Sequence, residues 1–212
     1  MSICWVDVSI PMRNGMTAWP GDPEFSFRAE SRIALGDTCN TSAISLGTHT
    51  GTHMDAPWHF EDGGPRLHEI DPGIFFGHAL VVEAPDADAV QAEHFGPEPL
   101  PPRVLIKTRN SSCPVDAPFD EAFAGLELDA AERLVADGVR LVGIDYLSVA
   151  PYQQKGHTTH HCLLSNNVAV VEGLRLGDLS PGVYSFVVLP LALMDADGAP
   201  CRAFAGRRAN DA

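Results

Sequence analysis

The segment LELDAAERLVADG at 126–138 runs without a linker into VRLVGID at 139–145. Asp129 is placed to cap a helix with Glu132 three residues on, and Gly138 stands where the helix must stop. A helix followed at once by an apolar, β-branched stretch is an αβ unit, and it directs the rest of the chain toward a sheet. WVDVSI (5–10) alternates as a half-buried strand does. HALVVEA (78–84), RVLIKT (103–108) and YSFVVLPLAL (184–193) are apolar enough for strands covered on both faces. An α/β fold with a sizeable sheet follows. The stretch 84–102 reads as a turn-rich connection, and the tail 206–212 as frayed.

With 212 residues and a hydrophobic fraction of 45%, the chain can bury a core, and residues 1–212 are expected to form a single domain. The formal net charge is −14 and no Lys/Arg run occurs, which argues against a nucleic-acid partner and against an anionic membrane surface. No apolar run has the length of a membrane span. The N-terminal stretch MSICWVDVSIPM lacks a basic region and is broken by Asp7, so it does not read as a signal peptide, and a cytoplasmic location is expected. Cys4, Cys39, Cys113, Cys162 and Cys201 are scattered, odd in number and without a C-x-x-C pair. That pattern opposes a disulfide framework and a thiolate zinc site, and predicts mostly buried thiols.

The chemistry concentrates in SLGTHTGTHMDAPWHF at 45–60, which holds His49, His53, Asp55 and His59. Gly51 and Thr52 disfavour a helix there, and Pro57 biases Ala56 away from helical geometry. An extended or looped backbone puts His53 and Asp55 on one side, and a loop returns His49 toward them. Imidazole with carboxylate is the ligand set of Zn²⁺, Mn²⁺ and Fe²⁺ hydrolytic sites, and Asp55 is suited to bridge two ions. A hydrogen-bonded histidine cluster without metal is the competing reading. Three ligands leave a site incomplete. HTTHHCLLSNNVAVVEGL at 157–174 offers His160 or His161, of which one can point inward, and Glu172 at the end of an apolar run. Surface histidines and a strand cap are the plain alternatives for that segment. Asp145, at the end of another apolar run, is read as a loop cap. His68, His78, His94 and His157 are read as structural or surface residues.

The run H-T-G-T-H-M-D-A-P-W-H resembles the H-x-G-T-H-x-D-x-P-x-H signature of the metal-dependent cyclase family, which includes bacterial kynurenine formamidases (arylformamidases) and isatin hydrolases. TAWPGDP (17–23), VRLVGIDYLS (139–148), the His160–Glu172 spacing and DGAPCRAF (197–204) resemble further family segments. One departure is Asn166, where some formamidases carry another histidine.

The resemblance implies a swivelling β/β/α barrel-like domain that is dimeric or larger. It implies a divalent metal cofactor, two Zn²⁺ or Mn²⁺ ions. His49, His53 and Asp55 would hold the first ion, and Asp55, His160 and Glu172 the second. His59 would be the proton donor and acceptor, and Trp19 would face a small aromatic amide; Trp58 is a second candidate for the pocket wall. The implied reaction is hydrolysis of an amide C–N bond by water activated on the metal, with N-formylkynurenine the leading substrate. Hydrolysis of another cyclic amide or lactone such as isatin is the alternative. A metal- or ligand-binding protein without turnover is the third reading. An uncommitted histidine beside thiolate-free ligands favours a catalytic site over a closed structural one.

Overall fold

The computed structural model describes residues 3–208. In chain order the strands are β1 (Ile3–Asp7), β2 (Ser26–Ser31), β3 (Thr41–Ser45), β4 (His53–Asp55), β5 (Phe76–Ala84), β6 (Arg103–Thr108), β7 (Leu141–Ile144), β8 (Ala169–Glu172), β9 (Gly182–Pro190) and β10 (Gly198–Arg208). Two helices, α1 (Leu128–Ala136) and α2 (Thr158–Ser165), lie between β6 and β7 and between β7 and β8. Strands β5, β6, β7 and β8 are parallel neighbours. β8 pairs antiparallel with β4, β4 with β10, β10 with β9, and β9 with β5, so seven strands close into a barrel. β1 extends the sheet along the far half of β10, and β2 with β3 forms a separate hairpin. The expected α/β barrel-like fold is the one observed.

Alternation along the strands sorts the core into two parts. Leu105, Leu141, Val171, Phe186 and Ala203 point into the barrel. Val104, Ile106, Val142, Ile144 and Val170 point outward, beneath the helices. Strands β6 to β8 are therefore apolar on both faces, as their composition predicts. Each fully buried Leu, Val or Ile contributes roughly 1.5–3 kcal/mol relative to exposure.

Helix α1 packs Ala130, Ala131 and Leu134 against this outer layer. It stops at Gly138, whose φ of +78° is left-handed. Gly138 N–H donates to Val135 and Val139 N–H to Leu134, the paired bonds of a Schellman ending. The cap at the other end differs from expectation. The N-cap is Glu127, and Asp129 lies one residue inside the first turn. Asp129 instead accepts from Ala92 N–H across the neighbouring loop, so tertiary contact claims the carboxylate.

Other expectations are adjusted. The tail is not frayed from 206, because β10 continues to Arg208 against β1; residues 209–212 lie outside the described part. Cys4, Cys39 and Cys113 are exposed and Cys162 and Cys201 partly buried, so the thiols are not mostly buried. Cys4 lies on the edge strand β1 and Cys39 and Cys113 in connections, while Cys162 on α2 and Cys201 on β10 pack against the margins of the two core layers. Asp145 is a loop cap: it accepts from Thr108 N–H and Oγ1–H and from Ser111 N–H and Oγ–H. Among the described residues no helix is long and apolar enough to cross a membrane.

Candidate metal centre

Strand β4 is three residues long and sits between β10 and β8. Met54 points into the barrel core, so His53 and Asp55 must point to the opposite face. On β8, Val171 points inward, and Glu172 shares the outward face with Val170. His53 pairs directly with Glu172 in the antiparallel register. Over this face lies α2, which presents buried His160. Its neighbour His161 lies about 100° further round the helix. It is exposed, and its Nδ1 pairs with Glu61 at 2.7 Å. Of the doublet, His160 is therefore the one that faces the cluster.

The approach of β8 to the 49–53 loop depends on Gly173. Its φ is +68°, and a side chain there would collide with the Gly51 carbonyl. Thr52 Oγ1–H donates to the Gly173 carbonyl at 2.5 Å and ties the two segments.

His49 Nδ1 lies 2.8 Å from Asp55 Oδ1, and His53 Nε2 lies 3.4 Å from the same oxygen. His53 Nε2 is 3.2 Å from Glu172 Oε2, and His160 Nε2 is 3.3 Å from Glu172 Oε1. Each of three trios has donor atoms within 4.8 Å of one another: His49, His53 and Asp55; Asp55, His160 and Glu172; and His49, His59 and Asp197. Asp55 belongs to two of them. His59 ends a single turn of 3₁₀ helix at Pro57–His59, and its ring stacks on His49 with centroids 3.9 Å apart.

Burial penalises every charge here, so the signs of the shifts report the neighbours. Burial lowers the His49 pKa, yet Asp55 and Asp197 outweigh it and raise the imidazole to about 10. Burial also opposes protonation of His53, but Glu172 and Asp55 raise it. Burial alone would raise Asp55 and Glu172; the facing histidines hold both below the ordinary carboxylate range. His59 is the exception: burial, with help from His49, keeps its pKa below the usual value.

Two buried nitrogens, His53 Nε2 and His160 Nδ1, have no hydrogen-bond partner. His53 already spends Nδ1 on the Gly51 carbonyl at 3.0 Å. His160 turns its other nitrogen, Nε2, to Glu172, whereas the orphaned His53 Nε2 itself faces Asp55 and Glu172. An orphaned nitrogen facing carboxylates is costly in a purely hydrogen-bonded cluster. It is what a divalent cation requires, since such an ion binds deprotonated imidazole and carboxylate at once. The residues present therefore fit such an ion.

Trp19 packs edge-on to Phe119, with centroids 5.2 Å apart, and against Tyr152 at 5.4 Å. Tyr152 lies three residues beyond Val149, whose N–H donates to Glu172 Oε1 at 2.7 Å, so Tyr152 is the member of this aromatic group whose loop reaches the cluster. Trp58 is covered on one face: the Arg66 guanidinium lies 4.6 Å over its ring. Two residues unforeseen in the sequence join the site. Asp197 sits 3.0 Å from His49 Nε2. Phe60 stacks on His160 at 4.6 Å and meets His59 edge-on. Asp197 falls in DADG just before β10, and only the β4–β10 pairing connects it to His49. A separate cavity of about 300 Å³ lies at the C-terminal ends of β6 and β7; Ser111, Tyr146, Leu174 and Arg175 line it, and no candidate ligand does.

Residues 6–151 match the Cyclase family model. The kynurenine formamidase of Bacillus cereus is 34% identical over 94% of this chain and 95% of its own length. A solved structure described as a potential metal-dependent hydrolase with cyclase activity superposes with a TM-score of 0.85 at 32% identity, covering 98% of this chain and 99% of that one. Isatin hydrolase A from Ralstonia solanacearum shares the fold, with a TM-score of 0.85 at 23% identity over 97% of this chain and 92% of its own. The chain belongs to the cyclase family.

Proposed function

We propose that this chain is a metal-dependent amidohydrolase, and that it cleaves the formamide C–N bond of N-formylkynurenine to give kynurenine and formate. The observation that carries the reading is the orphaned His53 Nε2, buried between Asp55 Oδ1 at 3.4 Å and Glu172 Oε2 at 3.2 Å. His49, His53 and Asp55 would hold one ion and Asp55, His160 and Glu172 a second, with Glu172 placed between His53 and His160. A bound divalent cation, Zn²⁺ or Mn²⁺, supplies Lewis acidity that activates water and steadies negative charge on the carbonyl oxygen.

The chain's own residues supply the proton transfers. His59 is held toward its neutral form by burial, so it can accept a proton at working pH. It then returns that proton to the leaving nitrogen, without which an amine departs poorly. Its stacking on His49 fixes it at the cluster's edge. Trp19 provides an aromatic wall with Phe119 and Tyr152 for a flat substrate. Trp58 is the weaker candidate for substrate contact, because Arg66 covers one of its faces.

We place the whole chain, 1–212, in one hydrolase domain working in the cytoplasm as a homodimer or larger homo-oligomer. The exposed Phe76, Val183 and Leu189 on β5 and β9 support association. Elemental analysis of the purified protein, then turnover assays on N-formylkynurenine and isatin with and without chelator, test the reading. Chelator-sensitive formamide cleavage is expected. Isatin as the preferred substrate would shift the assignment to cyclic amides. Bound metal with no turnover on either, or on other amides and lactones, would leave a binding protein.

A further inference from the structure

Resting on the metal reading above, we propose that Asp197 is a positioning residue that fixes the tautomer and orientation of His49. His49 is held at both ring nitrogens: Nδ1 is 2.8 Å from Asp55 Oδ1, and Nε2 is 3.0 Å from Asp197 Oδ2. Nδ1 faces the His53 side, where the ligand atoms gather. A carboxylate on Nε2 accepts the Nε2–H, which leaves the Nδ1 lone pair free for the ion. Carboxylate–histidine–metal relays of this kind set ring orientation and raise ligand basicity.

The seat for the ring is built into the backbone. Asp197 O accepts from Ala56 N–H at 2.8 Å, which locks the residue beside the end of β4. Gly198 stands opposite Asp55 in the β4–β10 register. A side chain at 198 would collide with the His49 ring and the Met54 carbonyl. Asp197 therefore reaches behind the ring while Gly198 leaves it room. The same Asp197 oxygen lies 3.7 Å from His59 Nδ1, so one carboxylate bonds the His49 ring and stands near the edge of the ring stacked on it.

The test measures Zn²⁺ and Mn²⁺ affinity by competition with a chromophoric chelator in wild type, D197N and D197A. Side-chain ¹H–¹⁵N spectra of His49 in the Zn²⁺-loaded forms accompany it. D197A is expected to bind about 10–100-fold more weakly, the usual effect of removing such a partner, and to lose the single Nε2–H tautomer. D197N, whose amide oxygen still accepts, is expected to keep the tautomer and recover part of the affinity. D197S replaces D197A if the latter does not fold. Wild-type affinity and tautomer in D197A or D197S, even with a lowered melting temperature, would overturn the positioning role alone. Failure of the wild-type chain to bind either ion would overturn the metal reading and this inference with it.

Discussion

His53 and Glu172 are direct register partners across the β4–β8 pair, and their side chains meet with Nε2 3.2 Å from Oε2. A histidine from the first signature and a glutamate about 120 positions later are thus joined by main-chain pairing rather than by a flexible loop. Sites carried on strands are positioned more tightly than sites on loops.

Glu172→Gln should remove metal without unfolding the chain. The amide oxygen can still accept from Val149 N–H, so the local backbone bond survives. We expect metal affinity to fall by at least about 100-fold, beyond the outer-partner range, and turnover with it. Elemental analysis alongside circular dichroism checks this; full metal content in the variant would exclude Glu172 as a ligand.

His59→Ala should separate chemistry from metal binding. The ring contributes to the cluster's edge but not to the His53–Asp55–Glu172 contacts. Turnover should drop by about 10²–10⁴-fold, the range for loss of a general acid–base, with metal content unchanged. Near-wild-type turnover would remove the shuttle role.

Metal uptake should release protons. In the ion-free cluster the acidic neighbours raise His49 from 6.5 to about 10, so it is an imidazolium at neutral pH. An ion must displace that proton, and apparent affinity should rise about tenfold per pH unit for each proton displaced, levelling off near the raised pKa. The sign for stability is opposite in the metal-free protein. A raised histidine pKa stabilises below 6.5 and loses its contribution as pH climbs through about 10. Chelator competition and melting curves across this window measure both trends. A pH-independent affinity would show that His49 is not a ligand.

Gly173→Ala should destabilise the fold by about 2 kcal/mol or more, because a left-handed φ and a blocked approach act together. The added methyl would press on the Gly51 carbonyl and push β8 away from the signature loop. A lower denaturation midpoint with unchanged slope, and weaker metal binding, are expected. A neutral substitution would mean that the two segments do not need this contact.

Asp145→Ala should cost about 3 kcal/mol or more without touching the cluster. Thr108 and Ser111 would each be left with buried or half-buried donors unpaired. Urea unfolding measures the loss, and metal affinity should stay at the wild-type value.

Much of this arrangement is local and therefore readable along the chain. The strands at 103–108 and 139–145 announce themselves by apolar, β-branched runs, and the helix between them by its Gly138 stop. The non-helical backbone of 49–59 follows from Gly51, Thr52 and Pro57, because their φ/ψ preferences act at one or two residues' range. β4 and β8 escape the pattern. They are three and four residues long, too short for a period to show along the chain. Asp129 reads as a cap from its neighbours alone and is diverted by Ala92, a contact 37 positions away.

Residue types and spacing within 49–59 determined which groups could bind and transfer protons, since ionisation and ligand preference belong to the side chains themselves. Only the tertiary structure decided which of His160 and His161 faces inward, and that Asp197 stands behind His49. Those choices depend on helix phase over a sheet and on the β4–β10 register. Both are fixed by burying Met54, Val171 and Ala199 in a common core, and no short stretch of chain contains that information.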